Sequence, residues 1–214
     1  MPGADVTASN ITVSFDGTTV LHDVSMHADA GEVVALLGAS GSGKSTLLRV
    51  IAGLLSPDAG RVDIGGDDMT SVPTHRRNVG MVFQDNQLFP HRTTFENVEF
   101  GLKLAGVNRH DRRERAQRWL DLVGLDGFGP RRVTELSGGE AKRVALARTL
   151  VVEPPVVLLD EPLTGLDREL HDQLVDELAT LLHDTASTAI LVTHDVEEAA
   201  ALADRTLRLS ELHA

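Results

Sequence analysis

The 214-residue sequence contains no cysteine, and phenylalanine, tryptophan and tyrosine together make up only 3% of it. Without cysteine the chain can form neither a disulfide nor a thiolate metal site, which fits a reducing compartment such as the cytoplasm. So few aromatic side chains argue against a platform on which the bases of single-stranded nucleic acid stack. The composition therefore disfavours a disulfide-stabilised protein and a single-strand-binding protein.

Basic residues are also in short supply, because 20 lysines and arginines stand against 32 aspartates and glutamates and leave a formal net charge of −12. Nucleic-acid binding normally needs a basic face, so we expect no nucleic-acid partner. The opening stretch, MPGADVTASNITVSF, lacks the basic start and the apolar run of a secretion signal. No apolar stretch is long enough to span a bilayer. If the protein works at a membrane, we expect it to do so by binding a partner.

The sequence does contain enough hydrophobic residues, 42% of the chain, for one folded domain spanning residues 1–214. Alternating apolar residues before Asp16-Gly17 predict a strand and a hairpin turn. Apolar runs predict further strands at GEVVALLG, NVGMVFQ, VVLLD and TAILVT. Helical spacing covers residues 44–55, 94–105, 109–123, 140–152 and 168–183, with another helix after His194. This alternation predicts an α/β fold with a mainly parallel sheet, an antiparallel N-terminal part and an inserted helical subdomain at about 85–151.

One glycine-rich stretch, GASGSGKS at Gly38–Ser45, matches the pattern G-x-x-x-x-G-K-[ST], follows a predicted buried strand and begins a helix. Glycines allow backbone N–H groups to surround phosphates, while Lys44 can reach the β and γ oxygens and Ser45 can ligate Mg²⁺. A chance glycine loop is the alternative, but the strand-to-helix context favours a nucleotide phosphate site.

Two acidic residues, Asp160 and Glu161, follow the buried strand VVLLD. Ligands bind at the carboxyl ends of the strands in open α/β sheets, so Asp160 is placed to hold Mg²⁺ and Glu161 to orient or deprotonate a water molecule. An acidic pair after a core strand is by itself more often solvated surface. The phosphate loop in the same chain reverses that preference.

A second glycine pair in TELSGGEAKRVALARTL is not explained by the first loop. Ser137, Gly138 and Gly139 begin a predicted helix, whose first turn has unpaired N–H groups and a partial positive charge. Such a helix start suits an anion. The sequence thus contains two candidate phosphate sites almost a hundred residues apart.

Two weaker candidates also follow predicted strands. Gln84 can reach a metal or a water molecule, although glutamine at a strand end is usually polar surface. His194 comes after ILVT, where a hydrogen-bonded structural histidine is about as common as a functional one.

Taken together, GASGSGKS, VFQ at 82–84, LSGGE at 136–140, VVLLDEP, GLD at 165–167 and THD at 193–195 resemble the ATP-binding-cassette (ABC) ATPases. The order and spacing of these six motifs match that family from about Ile11 to Leu209. The resemblance implies a P-loop NTPase (RecA-like) core at about 1–84 and 152–214, and ATP and Mg²⁺ as ligands. In the family two copies pair head to tail, so the signature Ser137–Gly139 would contact ATP bound to the phosphate loop of a second copy.

The resemblance also implies a role for each matching position. Catalysis would involve Lys44, Gln84, Glu161 and His194, and the metal would be held by Ser45, Gln84 and Asp160. Asp167 would reach across the interface between the two copies of the dimer. Phe15 would stack on adenine where the family often has tyrosine, although a core phenylalanine is nearly as plausible. Contacts to the nucleotide are expected from Phe15, Gly38, Ala39, Ser40, Gly41, Ser42, Gly43, Lys44, Ser45, Thr46, Ser137, Gly138, Gly139 and Asp167.

The signature departs from the family at Glu140, where glutamine is commoner, and at Ala141-Lys142-Arg143, where a more basic run is usual. A glutamate at a helix start agrees with the helix dipole. It also brings negative charge near the expected ATP, so we expect a modest weakening of nucleotide-driven closure.

Residues 82–106 resemble the importer ATPases of this family, in which the LFPH-type stretch faces the permease. Leu88, Phe89 and Pro90 would be either a docking patch for that permease or a buried corner of the helical subdomain. The permease would receive its substrate from an extracytoplasmic solute-binding protein. The sequence ends with LADRTLRLSELHA, so no additional C-terminal regulatory domain is expected.

Two alternatives stay open: an exporter ATPase, and a non-transport cassette acting in DNA repair or translation. GFGPRRVTE at 127–135 does not resemble the exporter linker, and the sequence has no paired cassette or long coiled-coil insertion. Import is therefore preferred, with a slight preference for inorganic ions or small cationic nutrients as cargo.

The basic run RHDRRERAQR at Arg109–Arg118 has interleaved acids and is interpreted as a solvated helix face, with Trp119 and Leu120 turned inward. A nucleic-acid or lipid contact is the alternative.

Overall fold

The computed structural model describes residues 3–212, which contain nine strands and seven α-helices. The strands are β1 (Val6–Phe15), β2 (Thr18–Ala28), β3 (Val33–Leu37), β4 (Ala59–Ile64), β5 (Asp67–Asp68), β6 (Val79–Val82), β7 (Val156–Asp160), β8 (Thr188–Thr193) and β9 (Arg205–Arg208). The helices are α1 (Lys44–Ala52), α2 (Thr94–Val98), α3 (Phe100–Leu104), α4 (Arg109–Leu122), α5 (Gly138–Leu150), α6 (Arg168–Thr185) and α7 (Val196–Leu202). Short 3₁₀ turns lie at Thr74–Arg76, Val133–Glu135 and Leu209–Glu211.

The N-terminal sheet has the strand order β2-β1-β4-β5, and its ladders are antiparallel. The predicted hairpin joins β1 to β2 through Asp16 and Gly17, whose φ angles are 48° and 79°. Two consecutive positive φ angles give the turn that matches the natural twist of a hairpin. Along β1 the buried residues change from Val6 and Ala8 to Ile11 and Val13, because an irregularity between Ala8 and Ile11 shifts the register.

The second sheet has the order β6-β7-β8-β3-β9, and the β7–β8, β8–β3 and β3–β9 ladders are parallel. All residues of β3, β7 and β8 are buried, as their continuous apolar sequences predict. The register pairs Asp160 with Val192 and Leu37 with Thr193. Consequently β3, β7 and β8 end at the same edge of the sheet.

The two largest departures from the predicted helix boundaries lie at α1 and at residues 94–105; elsewhere the helix ends shift by one or two residues. Helix α1 ends at Ala52 rather than at residue 55, because Gly53 adopts φ 74° and its N–H donates to the carbonyls of the last helical turn. The predicted helix at 94–105 consists of two short helices, α2 and α3, separated by Glu99.

Two compact units make up the chain, and each has its own hydrophobic core. The first unit comprises residues 1–81, 154–161 and 178–214; the second comprises residues 82–153 and 162–177. In the first unit residues of both sheets pack with α1, and in the second α2 to α5 pack around Val98, Leu120 and Val144. The predicted α/β fold with a mainly parallel sheet, an N-terminal antiparallel part and a helical insertion is confirmed.

Candidate functional site

The phosphate loop connects β3 to α1, and its glycines have structural reasons to be there. Gly41 and Gly43 have φ angles of 77° and 105°. A Cβ on Gly43 would lie 2.7 Å from Leu21 Cδ2 and 3.1 Å from the Val20 carbonyl oxygen. Only glycine tolerates both the positive φ angle and the lack of room for a Cβ. The loop can therefore turn tightly and leave its backbone amides at the start of α1.

Lys44 is the first residue of α1, and its side chain lies against this loop. The residue is 5% exposed. Its ammonium donates to the carbonyl oxygens of Gly38 (2.7 Å) and Ala39 (2.9 Å). The loop therefore holds one positive charge where the phosphates of a nucleotide would lie.

Ser45 and Asp160 are 115 positions apart in sequence and form a direct hydrogen bond, Ser45 Oγ donating to Asp160 Oδ1 at 2.8 Å. Asp160 is the last residue of β7 and is 3% exposed. Burial raises the pKa of its carboxyl group, the hydrogen bond from Ser45 partly opposes this rise, and the Glu161 charge adds to it. A cation at this position would offset the cost of the buried charge.

Glu161 directly follows β7 in an uncommon backbone conformation, with φ 48°. Its N–H donates to the Val192 carbonyl at 2.9 Å. Glu161 Oε1 lies 3.5 Å from His194 Nδ1, and the two side chains are 15% and 57% exposed. An acidic group and an imidazole thus meet at the edge of the sheet where Asp160 lies.

The backbone next to His194 is fixed by Thr193 and Asp195 of the same motif and by Glu198, which sequence reasoning missed. Thr193 Oγ1 donates to Glu198 Oε2 (2.7 Å) and accepts from the Asp195 N–H (3.0 Å). Asp195 in turn caps α7 by accepting from the N–H groups of Glu197 and Glu198. Glu198 is only 2% exposed. A glutamate in an otherwise ordinary helix gives no sequence signal of such burial.

The residues present fit a triphosphate with Mg²⁺. Ser45 and Asp160 offer the oxygen ligands that Mg²⁺ prefers, and Lys44 offers a phosphate-binding charge. The Ser42 Oγ is buried, and no hydrogen-bond partner for it exists within residues 3–212. No cluster of three or more metal-binding side chains was found in the described part of the chain. Two protein ligands suit a cation whose other ligands are phosphate oxygens and water.

The second glycine pair lies in the other unit, at the start of α5. Ser137 is the N-cap: its side chain accepts from the Glu140 N–H, and the Glu140 carboxylate accepts from the Ser137 N–H at 2.6 Å. This backbone hydrogen bond lowers the pKa of Glu140. The negative charge of Glu140 therefore interacts with the N–H groups at the start of its own helix.

Gly138 is exposed, and a Cβ built on it would meet nothing within 4 Å. Its φ angle is not among the positive ones. The packing of this chain thus gives no reason for glycine at 138. A Cβ on Gly139, by contrast, would lie 3.1 Å from Leu166 Cδ2.

Gln84 and Asp167 also belong to the second unit. Gln84 is exposed just after β6. The Asp167 side chain accepts from the Leu170 N–H at 3.1 Å and so stabilises the first turn of α6. Asp167 therefore has a structural role in its own chain, and the role predicted for it in the dimer stays a prediction.

Phe15 lies at the end of β1 and is 46% exposed, so the alternative that it is a core residue is wrong. Ala39 and Ser40 are exposed in the phosphate loop, and Thr46 is half-buried in α1.

The arginine-rich run at 109–118 forms most of α4. Arg112 pairs with Glu99 (3.0 Å), Arg115 with Glu153 (3.1 Å) and Arg118 with Glu114 (2.6 Å). Leu120 is fully buried and Trp119 packs against the core of its unit. The charges are largely paired, which supports the interpretation as a helix face.

The LFPH stretch is not a simple exposed patch. Leu88 packs against the hydrophobic core of the second unit. The Phe89 ring lies 4.7 Å from the Phe100 ring, with the Arg92 guanidinium over both. Pro90 is exposed. The packed corner therefore accounts for Leu88 and Phe89, and the docking patch stays a prediction.

At the ends of β3, β7 and β8 lie a glycine loop that opens a helix, a lysine held against that loop, and a serine bonded to a buried aspartate. This arrangement defines the phosphate-loop nucleotide-binding class of proteins. The family model for the ABC transporter matches residues 21–164. The chain belongs to the ABC transporter family.

Similar curated proteins share a name, Fe(3+) ions import ATP-binding protein FbpC. The protein from Brucella melitensis is 48% identical over 98% of this chain, and that from Streptomyces coelicolor is 49% identical over 97%. These matches cover 59% and 60% of the two relatives. The chain thus spans about three fifths of the length of the curated relatives it matches.

Two solved structures, each 33% identical, have the same fold. A dimeric ATP-binding cassette in a post-hydrolysis state, bound to ADP and Pi, has a TM-score of 0.86, over 95% of this chain and 94% of that chain. A dimeric bacterial ABC transporter cassette has a TM-score of 0.87 with the same coverage. Within residues 3–212, the helices are too short or too polar for any of them to cross a bilayer.

Proposed function

We propose that this chain is the ATP-hydrolysing subunit of an importer and that it drives substrate uptake through a separate membrane permease. One observation carries the catalytic part: Ser45, Asp160 and Glu161 are brought together from distant parts of the sequence, with Lys44 on the neighbouring loop. This is the set of groups needed to bind a triphosphate and to activate water beside it.

In the proposed reaction the loop amides and Lys44 neutralise the phosphates, and Ser45 and Asp160 would hold Mg²⁺. The family resemblance alone implies that Gln84 would be a further ligand of the cation. When bound, the cation offsets the charge of the phosphate oxygens. Glu161 orients the attacking water and accepts its proton. His194, 3.5 Å from Glu161, contacts the γ-phosphate.

We propose that the protein acts as a homodimer in which each ATP lies between the phosphate loop of one copy and Ser137–Gly139 of the other. The two similar structures are both dimeric, which supports this arrangement. The glycine at 138, for which the chain's own packing gives no reason, fits a position approached closely by a second molecule.

The cargo proposed is iron(III), the ion named for the curated relatives. The partners would be a permease and, indirectly, an extracytoplasmic solute-binding protein. The subunit would be peripheral, on the cytoplasmic face of the membrane. We also propose that residues 85–151 form the helical subdomain of this single ABC domain, and that its exposed Pro90 belongs to the permease-docking patch.

Hydrolysis is tested by measuring phosphate release from Mg–ATP with the purified chain and with Lys44→Ala. We expect the parent to hydrolyse ATP and the variant to lose nucleotide binding, because the variant lacks the buried charge of the loop. A parent that binds no nucleotide, or a variant as active as the parent, would contradict the proposal.

Transport is tested by tagging the protein in its own cells, solubilising membranes in a mild detergent and identifying co-purified proteins by mass spectrometry. We expect a polytopic permease. A ribosomal or DNA-repair partner without any membrane protein, under conditions where a control importer stays intact, would replace transport with another function.

A further inference from the structure

Helix α5 contacts two loops of the second unit through basic side chains that project from it. The first, here called the glutamine loop, is residues 84–88; the second, the aspartate loop, is residues 162–167. By resemblance these loops carry Gln84 and Asp167, and α5 itself begins at the signature. Hydrogen bonds from Arg148 and Lys142 to backbone carbonyl oxygens hold these two loops on the helix.

Arg148 on α5 holds the glutamine loop. Its guanidinium donates to the carbonyl oxygens of Gln87 (2.7 Å) and Asn86 (3.1 Å) and lies 5.5 Å from the centre of the Phe89 ring. Burial lowers the pKa of this guanidinium. No carboxylate within residues 3–212 forms an ion pair with it. The loop carbonyls are thus the groups that compensate a largely desolvated charge.

The glutamine loop needs such support because its backbone is strained. Asn86 and Gln87 have φ angles of 63° and 49° in succession. A left-handed conformation is unfavourable for residues with a Cβ, and two in a row persist only when the surroundings impose them. Buried Asn97 adds a second constraint, since it accepts from the Phe89 N–H at 2.8 Å and donates to the Phe89 carbonyl.

Lys142, six residues before Arg148 on the same helix, holds the aspartate loop in the same way. It is 5% exposed, and its ammonium donates to the Thr164 carbonyl at 2.8 Å. Leu166 of this loop approaches Gly139, where a Cβ would lie 3.1 Å from it. Six residues correspond to about 9 Å along a helix. One rigid element therefore sets the positions of both loops.

We propose that Arg148 and Lys142 are positioning residues that fasten the glutamine and aspartate loops to the signature helix, so that the two loops and Ser137–Gly139 respond together when nucleotide or permease binds. The inference about activity rests on the proposed function; the fastening of the loops does not.

The fastening is tested by hydrogen exchange and mass spectrometry on the full chain, comparing the parent with Arg148→Met and Lys142→Met. In Arg148→Met we expect amides of residues 85–89 to exchange at least tenfold faster, while those of residues 163–167 and of β3 stay within twofold of the parent. Lys142→Met should show the opposite pattern for the two loops. Arg118→Met is the matched control, because Arg118 is an exposed arginine of α4 with an exposed partner.

Faster exchange in all peptides alike would show general destabilisation and overturn the proposal, as would unchanged exchange in both loops. If Arg148→Met fails to fold, Arg148→Lys decides by the same measurement, because lysine keeps the charge but cannot donate to both carbonyls in the same geometry.

A second readout separates positioning from stability. In Arg148→Met we expect the kcat for ATP to fall at least fivefold with KM within twofold. Adding Asn86→Gly and Gln87→Gly should restore at least half of the loss, because glycine adopts positive φ without strain. An unrescued loss of kcat, KM and Tm together would mean a structural role only. If the parent has no ATPase activity, the proposed function is refuted. The hydrogen-exchange measurement then tests the fastening of the loops by itself.

Discussion

The two units of this protein build their candidate phosphate sites by different means. In the first unit Lys44 and Asp160 are buried, and the register of β3, β7 and β8 fixes where their groups meet. In the second, Ser137 and Gly138 are exposed, and a helix cap orders them. We interpret the first as a site that binds nucleotide within one chain and the second as a surface completed by another molecule. On this interpretation the same anion chemistry would serve an internal site in one unit and an intermolecular site in the other.

The largest effect expected is on the first unit, from Glu161→Gln. This change keeps shape and hydrogen bonding but removes the base, so turnover should fall by at least about 100-fold while ATP binding is kept. Phosphate release and binding of a fluorescent ATP analogue measure the two properties. Glu169→Gln, on the exposed first turn of α6, is the control. Equal hydrolysis by Glu161→Gln and the parent would remove Glu161 from its role.

Gly138→Asp should disrupt the proposed intermolecular site of the second unit without affecting the phosphate loop of the first. The position has room for a side chain, so we expect a folded protein that binds ATP normally as a monomer. ATP-driven dimerisation, measured by light scattering in the Glu161→Gln background, should weaken at least about tenfold, because like charges across an interface cost several kcal/mol. Gly138→Ala separates size from charge and should have a small effect. Dimerisation unaffected by the aspartate would contradict the shared site.

Gly43→Ala should act on the first unit instead and weaken the binding of nucleotide to the monomer. The new Cβ would meet Leu21 in a backbone with φ 105°, a strain of about 1–3 kcal/mol that must distort the phosphate loop. We expect affinity for ATP, measured by calorimetry, to fall about tenfold. Gly17→Ala is a matched control with φ 79° in the hairpin, which should lower the Tm but leave affinity unchanged. Equal affinity in Gly43→Ala and the parent would show that the loop tolerates the side chain.

The smallest effect should come from Glu140. Loss of the capping box in Glu140→Ala should lower the free energy of unfolding by about 0.3–1.5 kcal/mol. Because the folded pKa of Glu140 is lowered, this stability is fully present above the ordinary glutamate pKa of about 4.3 and disappears as the pH falls through the folded value. Urea unfolding of the parent and of Glu140→Ala at pH 7 and below pH 4 measures this contribution, and the difference in stability between the two proteins should shrink at the lower pH.

Glu140→Gln keeps an acceptor for the Ser137 N–H and should retain most of the stability at pH 7. Without the carboxylate, nucleotide-driven dimerisation should be modestly stronger than in the parent. A Glu140→Ala protein as stable as the parent at pH 7 would mean that the capping box contributes little.

Much of the fold was predictable because its signals are local. Strands β7 and β8 have the predicted bounds, since continuous apolar runs specify buried parallel strands. Strands β4 and β9 were missed, because AGRVDI and RTLR have little apolar content and are strands only where a neighbour pairs with them. The end of α1 was predicted three residues too late, because the apolar pattern continues past Gly53.

The structural roles of three buried or half-buried cations could not be predicted from the sequence. Arg77 is 5% exposed and donates to the carbonyls of Val50 and Ile51 at the end of α1. Arg148 and Lys142 were part of an ordinary helical pattern. Nothing in one-dimensional spacing distinguishes an arginine that compensates helix or loop carbonyls from one in solvent.

By itself, the sequence determined the α/β class, the phosphate loop and the two capped or glycine-rich helix starts, because these depend on residues that are neighbours along the chain. Only the tertiary structure decided that Ser45 bonds Asp160 across 115 positions, that Glu161 faces His194, and that α5 contacts two loops through one buried and one half-buried charge. The physical reason is that strand register and burial are cooperative properties of the packed chain, and a charge becomes costly or useful only once its surroundings have excluded water.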